Sequence, residues 1–181
     1  IQTLVEAGIK EIMIVVSGPH AGHFIRVLKN GKEMGIDTLE YGYQENTKGG
    51  IADALSIAED FADNEPITVI LGDNTTDAQI GKAVNNFKDG ALVFLKKYSD
   101  KKLLKRFGVP VFDDSGKKII KIEEKPDQPK SDYAQTGLYI YDRTVFDRIR
   151  KLNPSDRGEL EVSDLNSLYA EDGALYWAEL E

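Results

Sequence analysis

The stretch Ile67-Thr68-Val69-Ile70-Leu71-Gly72-Asp73-Asn74 constrains this chain more than any other. A β-branched, apolar run that stops abruptly at Gly-Asp-Asn reads as a strand covered on both faces, as in a mostly parallel sheet. Ligands of open α/β sheets bind just beyond the carboxyl ends of the strands. An aspartate delivered there, with Gly72 leaving room for close backbone approach, suits a hard cation such as Mg²⁺. Capping a helix or starting a turn is the competing role for Asp73.

The length of 181 residues is that of one domain able to bury a real core. A net charge of -8 argues against broad binding of nucleic acid or anionic membranes, both of which need a basic field. It leaves open a small anionic ligand held by a few local cations. With no cysteine there is no disulfide, no thiolate nucleophile and no cysteine metal cage. No apolar run approaches the ~20 residues of a membrane span, and nothing resembles a signal peptide; a cytoplasmic setting is the expectation. Ile1, Leu4 and Val5 already carry helical spacing, so the chain is expected to open in mid-helix.

Periodicity and punctuation then divide the chain. Glu11 to Val16 reads as a strand, followed by a helix capped at Ser17-Gly18-Pro19 and running to Leu28. His20 and His23, three apart on that helix, could share a face, but no third metal ligand is near. Thr38 to Gln44 alternates as a strand, 45–50 is a loop, and Ile51 to Phe61 has a helical stripe. This strand-helix-strand order predicts a right-handed crossover and a parallel pair with the strand ending at Leu71. Further expectations are a helix over 77–87, a strand over 91–95 and a short helix over 103–107. A hairpin should turn at Asp113-Asp114-Ser115-Gly116, followed by a strand over 136–141 and a helix over 145–152. A last helix should open near Arg157 and run to about Ala170, before a strand over 174–180.

Three clusters can do chemistry. Gln44 with Gly49-Gly50 sits at a strand-to-helix junction, where backbone N–H groups can approach an anion or a base, or simply form a loop; no P-loop or GxGxxG fingerprint occurs. In Glu124-Lys125-Pro126, proline ends the strand and restricts Lys125 to an extended conformation. Neighbours on a strand face opposite ways, so the carboxylate and the ammonium are expected to serve different groups. A carboxylate can take two sugar hydroxyls and an ammonium a phosphate. In Arg157-Gly158-Glu159-Leu160-Glu161 the guanidinium offers a bidentate fork for phosphate, or a cap and a surface ion pair.

The order of these pieces resembles the sugar-1-phosphate nucleotidylyltransferases: a Gln-loop-Gly-Ile-Ala helix, then LGDN, GVP, EEKP, YAQTGLYIYD and RGELEVSD. Within them the chain is most similar to the glucose-1-phosphate thymidylyltransferases, over essentially its whole length. The resemblance implies a Rossmann-like three-layer α/β fold with a mostly parallel mixed sheet, in one partial domain over 1–181. It implies nucleotidylyl transfer from dTTP or UTP to a sugar 1-phosphate, with Mg²⁺ as cofactor and a homo-oligomeric enzyme. By the same resemblance Asp73 holds the metal and Gln44 and Gly50 lie against the base. Asn74 and Gly108 line the sugar pocket, Glu124 takes sugar hydroxyls and Lys125 the sugar phosphate. Gln135 lies where its strand meets the sugar, and Arg157 faces phosphate. The family's N-terminal glycine-rich stretch and its second metal aspartate are expected outside positions 1–181. A non-catalytic homologue that binds sugar nucleotide is the alternative.

Overall fold

The structure, a computed structural model, describes residues 1–19 and 21–180. In chain order the elements are α1 (Gln2–Glu6), β1 (Glu11–Ser17), α2 (Ala21–Leu28), β2 (Thr38–Gln44), α3 (Ile51–Ser56), α4 (Glu59–Ala62), β3 (Ile67–Ile70) and α5 (Gly81–Asn86). There follow β4 (Ala91–Lys97), α6 (Lys101–Leu104), β5 (Gly108–Phe112), β6 (Ile119–Glu124), β7 (Tyr133–Tyr141), α7 (Val145–Ile149), α8 (Val162–Glu171) and β8 (Leu175–Glu179). His20 lies outside the described residues; His23 is on α2.

One four-stranded sheet, in the order β3-β7-β4-β8, carries the architecture. β3, β4 and β8 run in one direction and β7 runs against them. A parallel pair β1-β2 and an antiparallel hairpin β5-β6 complete the strands. The sheet is mixed, as expected. Two local expectations fail. β3 does not pair with β2; its hydrogen-bonding edge is taken by β7, with Ile67 opposite Tyr141. As an edge strand paired on one side, β3 is half-buried at all four positions rather than covered on both faces.

β7 shows why the layers form. Its side chains alternate between faces, so Tyr139 and Tyr141 enter one cluster with Val93, Leu95, Leu165 and Tyr169, under α3, α7 and α8. Leu138 and Ile140 enter the other with Leu4, Ile12, Ile80 and Phe94. A side chain of this size is worth about 1.5–3 kcal/mol when fully buried. The rings of Tyr139, Tyr141 and Tyr169 stack in a row at centroid spacings of 5.8 Å. Among the described residues no helix is long and apolar enough to cross a membrane.

Candidate functional site

The strand ends gather the predicted residues around the Gln135 face of β7. Gly108 at the start of β5 stands opposite Glu124 at the end of β6. A Cβ on Gly108 would lie 2.7 Å from Ser163 Oγ and 3.2 Å from Gln135 Nε2, so only glycine lets α8 and β7 approach this closely. Ser163, at the start of α8, donates to Glu124 Oε2 at 2.6 Å. The other carboxylate oxygen of Glu124, Oε1, faces Lys125 Nζ at 3.5 Å and Arg157 Nη2 at 3.7 Å.

Lys125 corrects the sequence reading. Its φ is +45°, in the left-handed region, not extended. β6 ends at Glu124, and the Lys125 N–H bonds the Phe107 carbonyl at 3.0 Å. That tertiary bond outweighs the local preference of a residue before proline. The left-handed turn brings Nζ back beside Glu124, so the two charges serve one place rather than opposite faces. Left-handed backbone costs an L residue about 1–2 kcal/mol, and such outliers concentrate where function holds them.

Arg157 is more heavily engaged than a surface ion pair would be. It bonds Glu161 through Nε and Nη2, and Nη2 also lies 3.3 Å from Glu159. Hydrogen bonding to Glu161, opposed by burial and supported by the charges of Glu161, Glu159 and Glu124, raises its pKa above the ordinary arginine value. Glu161 is buried and also accepts from Ser155 Oγ at 2.8 Å. No local pattern around Glu161 marks this carboxylate for burial.

The Gln44 cluster is joined to Arg157 through backbone. Leu160 N donates to the Gly49 carbonyl at 2.8 Å, and Ala52 N to the Leu160 carbonyl at 3.2 Å. Gly50 has φ +87°, and a Cβ there would meet the Leu160 carbonyl at 2.6 Å. Gln44 Nε2 donates to the Gly50 carbonyl at 3.1 Å and to Asp53 Oδ2 at 2.8 Å. Both its N–H groups are committed, and Oε1 remains as an acceptor.

Asp73 stands exposed on the turn after β3. No helix begins there; α5 starts only at Gly81, so the helix expected from Asp77 is shorter. Asn74 bridges this turn to β7: its Nδ2 donates to Asp73 Oδ1 at 2.7 Å and its Oδ1 accepts from Gly137 N at 2.9 Å. Among the described residues no three His, Cys, Asp or Glu side chains come together as a closed metal cage. Asp73 Oδ2 takes no hydrogen bond in that bridge. One exposed carboxylate fits a cation of the Mg²⁺ type, which is commonly held by one or two carboxylates together with substrate phosphates.

Sequence reasoning missed Ser163, Glu161 and Asn166. Asn166, on α8, is fully buried and donates through Nδ2 to Gln135 Oε1 at 2.7 Å. The only signal was their helical spacing beyond Arg157.

Residues 1–180 match the nucleotidyl transferase family model. The chain belongs to the nucleotidyl transferase family. It is 40% identical to a glucose-1-phosphate thymidylyltransferase of Neisseria gonorrhoeae, across 97% of this chain and 60% of that protein. It is 38% identical to one from Actinoplanes sp., across 96% of this chain and 56% of that protein. The chain thus spans about 60% of the length of curated relatives it matches. A Bacillus anthracis protein assigned as a glucose-1-phosphate thymidylyltransferase, solved with sucrose, superposes with a TM-score of 0.88 at 42% identity. That superposition covers 99% of this chain and 72% of the other. A UDP-glucose pyrophosphorylase superposes at 0.78 with 19% identity, covering 98% of this chain and 76% of the other, and shares the fold.

Proposed function

We propose that this family member transfers a nucleotidyl group from dTTP to glucose 1-phosphate, releasing pyrophosphate. The observation that carries the reading is the left-handed Lys125, whose ammonium is folded back against Glu124 at the mouth of the β5-β6 hairpin. A carboxylate and an ammonium side by side suit a molecule that presents hydroxyls next to a phosphate. The thymidylyltransferase relatives support the choice of substrates.

In this reading Glu124 accepts from sugar hydroxyls and Lys125 holds the sugar phosphate. Gln44 offers Oε1 to the N3–H of a pyrimidine, and Gly50 lets the base lie close to the backbone. Asn74, Gly108 and Gln135 border the sugar, and Arg157 adds positive charge on the phosphate side. The sugar phosphate oxygen attacks the α-phosphorus of dTTP, the bond to the β-phosphate breaks, and pyrophosphate leaves with that electron pair. The protein positions the reactants and neutralises charge; no covalent adduct with a side chain is required. Mg²⁺, when bound by Asp73, supplies Lewis-acid stabilisation of phosphate charge.

The test is pyrophosphate release with glucose 1-phosphate and each nucleoside triphosphate in turn, alongside calorimetric titration of each substrate. Release with dTTP that needs glucose 1-phosphate supports the proposal. Preference for UTP moves it to a uridylyltransferase, and binding of sugar nucleotide without release to a non-catalytic homologue.

A further inference from the structure

The Gln44 amide is locked in one direction by the groups around it. Its Nε2 donates to the Gly50 carbonyl at 3.1 Å and to Asp53 Oδ2 at 2.8 Å. A carbonyl and a carboxylate can accept but not donate. Turning the amide over would set Oε1 against both of them. Nε2 therefore stays with these two partners, and Oε1 of this half-exposed side chain is the atom left for a ligand.

Two observations give Asp53 a role beyond that of a surface acid. It is the third residue of α3 after the N-cap Gly50, a position from which an acid commonly reaches back to the N-cap N–H. Its carboxylate turns to Gln44 instead, and among the described residues this is the one hydrogen bond the side chain makes. Gly49 then makes room for it. A Cβ there would fall on the Asp53 carboxylate, and Gly49 has no left-handed backbone that would call for glycine by itself. Leu160 ties the cluster to the rest of the site, its N–H bonding Gly49 and its carbonyl Ala52, three residues along from Arg157.

A fixed acceptor discriminates between base edges. Uracil and thymine carry an N–H at N3, whereas cytosine carries a lone pair there. We propose that Asp53 is a positioning residue for base selection: by holding the Gln44 amide with Oε1 toward the base, it makes the site take pyrimidines with an N3–H and refuse cytosine. This rests on the reading of the site given above, and it holds for dTTP and UTP alike because both carry that N–H.

The experiment titrates dTTP, dCTP and glucose 1-phosphate into the unsubstituted protein, Asp53→Asn and Gly49→Ala, with a thermal melt of each. Asp53→Asn puts an amide beside Gln44 that can donate to Oε1, so a reversed Gln44 finds a partner. Gly49→Ala keeps Asp53 but displaces its carboxylate, and carries the test if Asp53→Asn melts below the assay temperature. The unsubstituted protein should bind dTTP at least ~100-fold more tightly than dCTP, because the wrong base leaves polar groups unpaired. In both variants that ratio should fall by ~10-fold or more, with glucose 1-phosphate affinity unchanged. An unchanged ratio in a folded variant overturns the proposal, as does a parent that binds both nucleotides alike. Equal losses for dTTP and dCTP, the mark of a merely structural role, overturn it too. Each of these leaves the site reading intact. If the unsubstituted protein binds neither nucleotide, the site reading falls and the proposal with it.

Discussion

Arg157 grips Glu161 across the entry to α8 with three hydrogen bonds, from Nε to Oε1 at 3.2 Å and from Nη2 to Oε1 and Oε2 at 2.8 and 2.9 Å. The carboxylate is buried while the guanidinium is partly open to solvent. Removing Arg157 leaves Glu161 with Ser155 Oγ as its remaining side-chain partner. Arg157→Ala should lower unfolding stability by about 2 kcal/mol, the scale of a hydrogen bond to a charged group and less than that of a fully buried pair. Chemical denaturation of Arg157→Ala, Glu161→Ala and the double variant checks this: the double loss should fall short of the sum of the singles.

Lys125 separates stability from binding. Glycine takes up the left-handed backbone without a Cβ penalty, so Lys125→Gly should leave stability unchanged or raise it by up to about 1 kcal/mol. The same substitution removes the ammonium and should raise KM for glucose 1-phosphate far more than KM for the nucleotide. Melting curves and initial rates on the same sample test both halves, and equal shifts in the two KM values would refute the assignment.

Asp73 is exposed and its only described hydrogen bond comes from its neighbour Asn74. Asp73→Asn should therefore leave the melting temperature within about 2 °C of the parent. Metal-dependent turnover should fall by roughly 100-fold or more, the scale of losing one charge-stabilising group. Pyrophosphate release measured against Mg²⁺ concentration decides it; unchanged activity removes Asp73 from the metal.

Asp142 is a structural carboxylate with a pH signature. Burial works against its charge, but Thr144 Oγ1 and N, Gly90 N and Tyr169 Oη all donate to it, and the net effect lowers its pKa. A depressed carboxylate stabilises the fold above its unfolded pKa of about 4, and that contribution is lost as pH falls through the folded value. Asp142→Asn should thus be destabilised by about 1 kcal/mol at pH 7 and approach the parent at an acidic pH below the folded value. Urea midpoints at the two pH values measure the gap.

Local chemistry made much of this legible in the sequence. The alternation Thr38 to Gln44 became β2 with the same bounds, and the proline after Lys125 marked the end of β6. The resemblance carried by EEKP and RGELEVSD was confirmed at family level. What stayed hidden depends on contacts between distant segments. The edge position of β3 follows from where β7 pairs. Lys125 turns left-handed because a carbonyl eighteen residues earlier holds its N–H. Arg-x-x-x-Glu reads as a surface pair on any helix start, and nothing local marks Glu161 as buried. A lone asparagine such as Asn166 carries no local sign that it will be paired in the interior.

On the reversed strand Gln135 borders Gly108, and Gly137, two residues on, anchors Asn74 beside Asp73, so the Glu124 side and the Asp73 side are spaced by one short stretch of β7. That spacing behaves as a fixed ruler between two otherwise separate loops. Insertions in the turn after β3 or in the hairpin can vary what each end grasps, whereas an inserted residue between Gln135 and Gly137 would change that spacing and uncouple the halves.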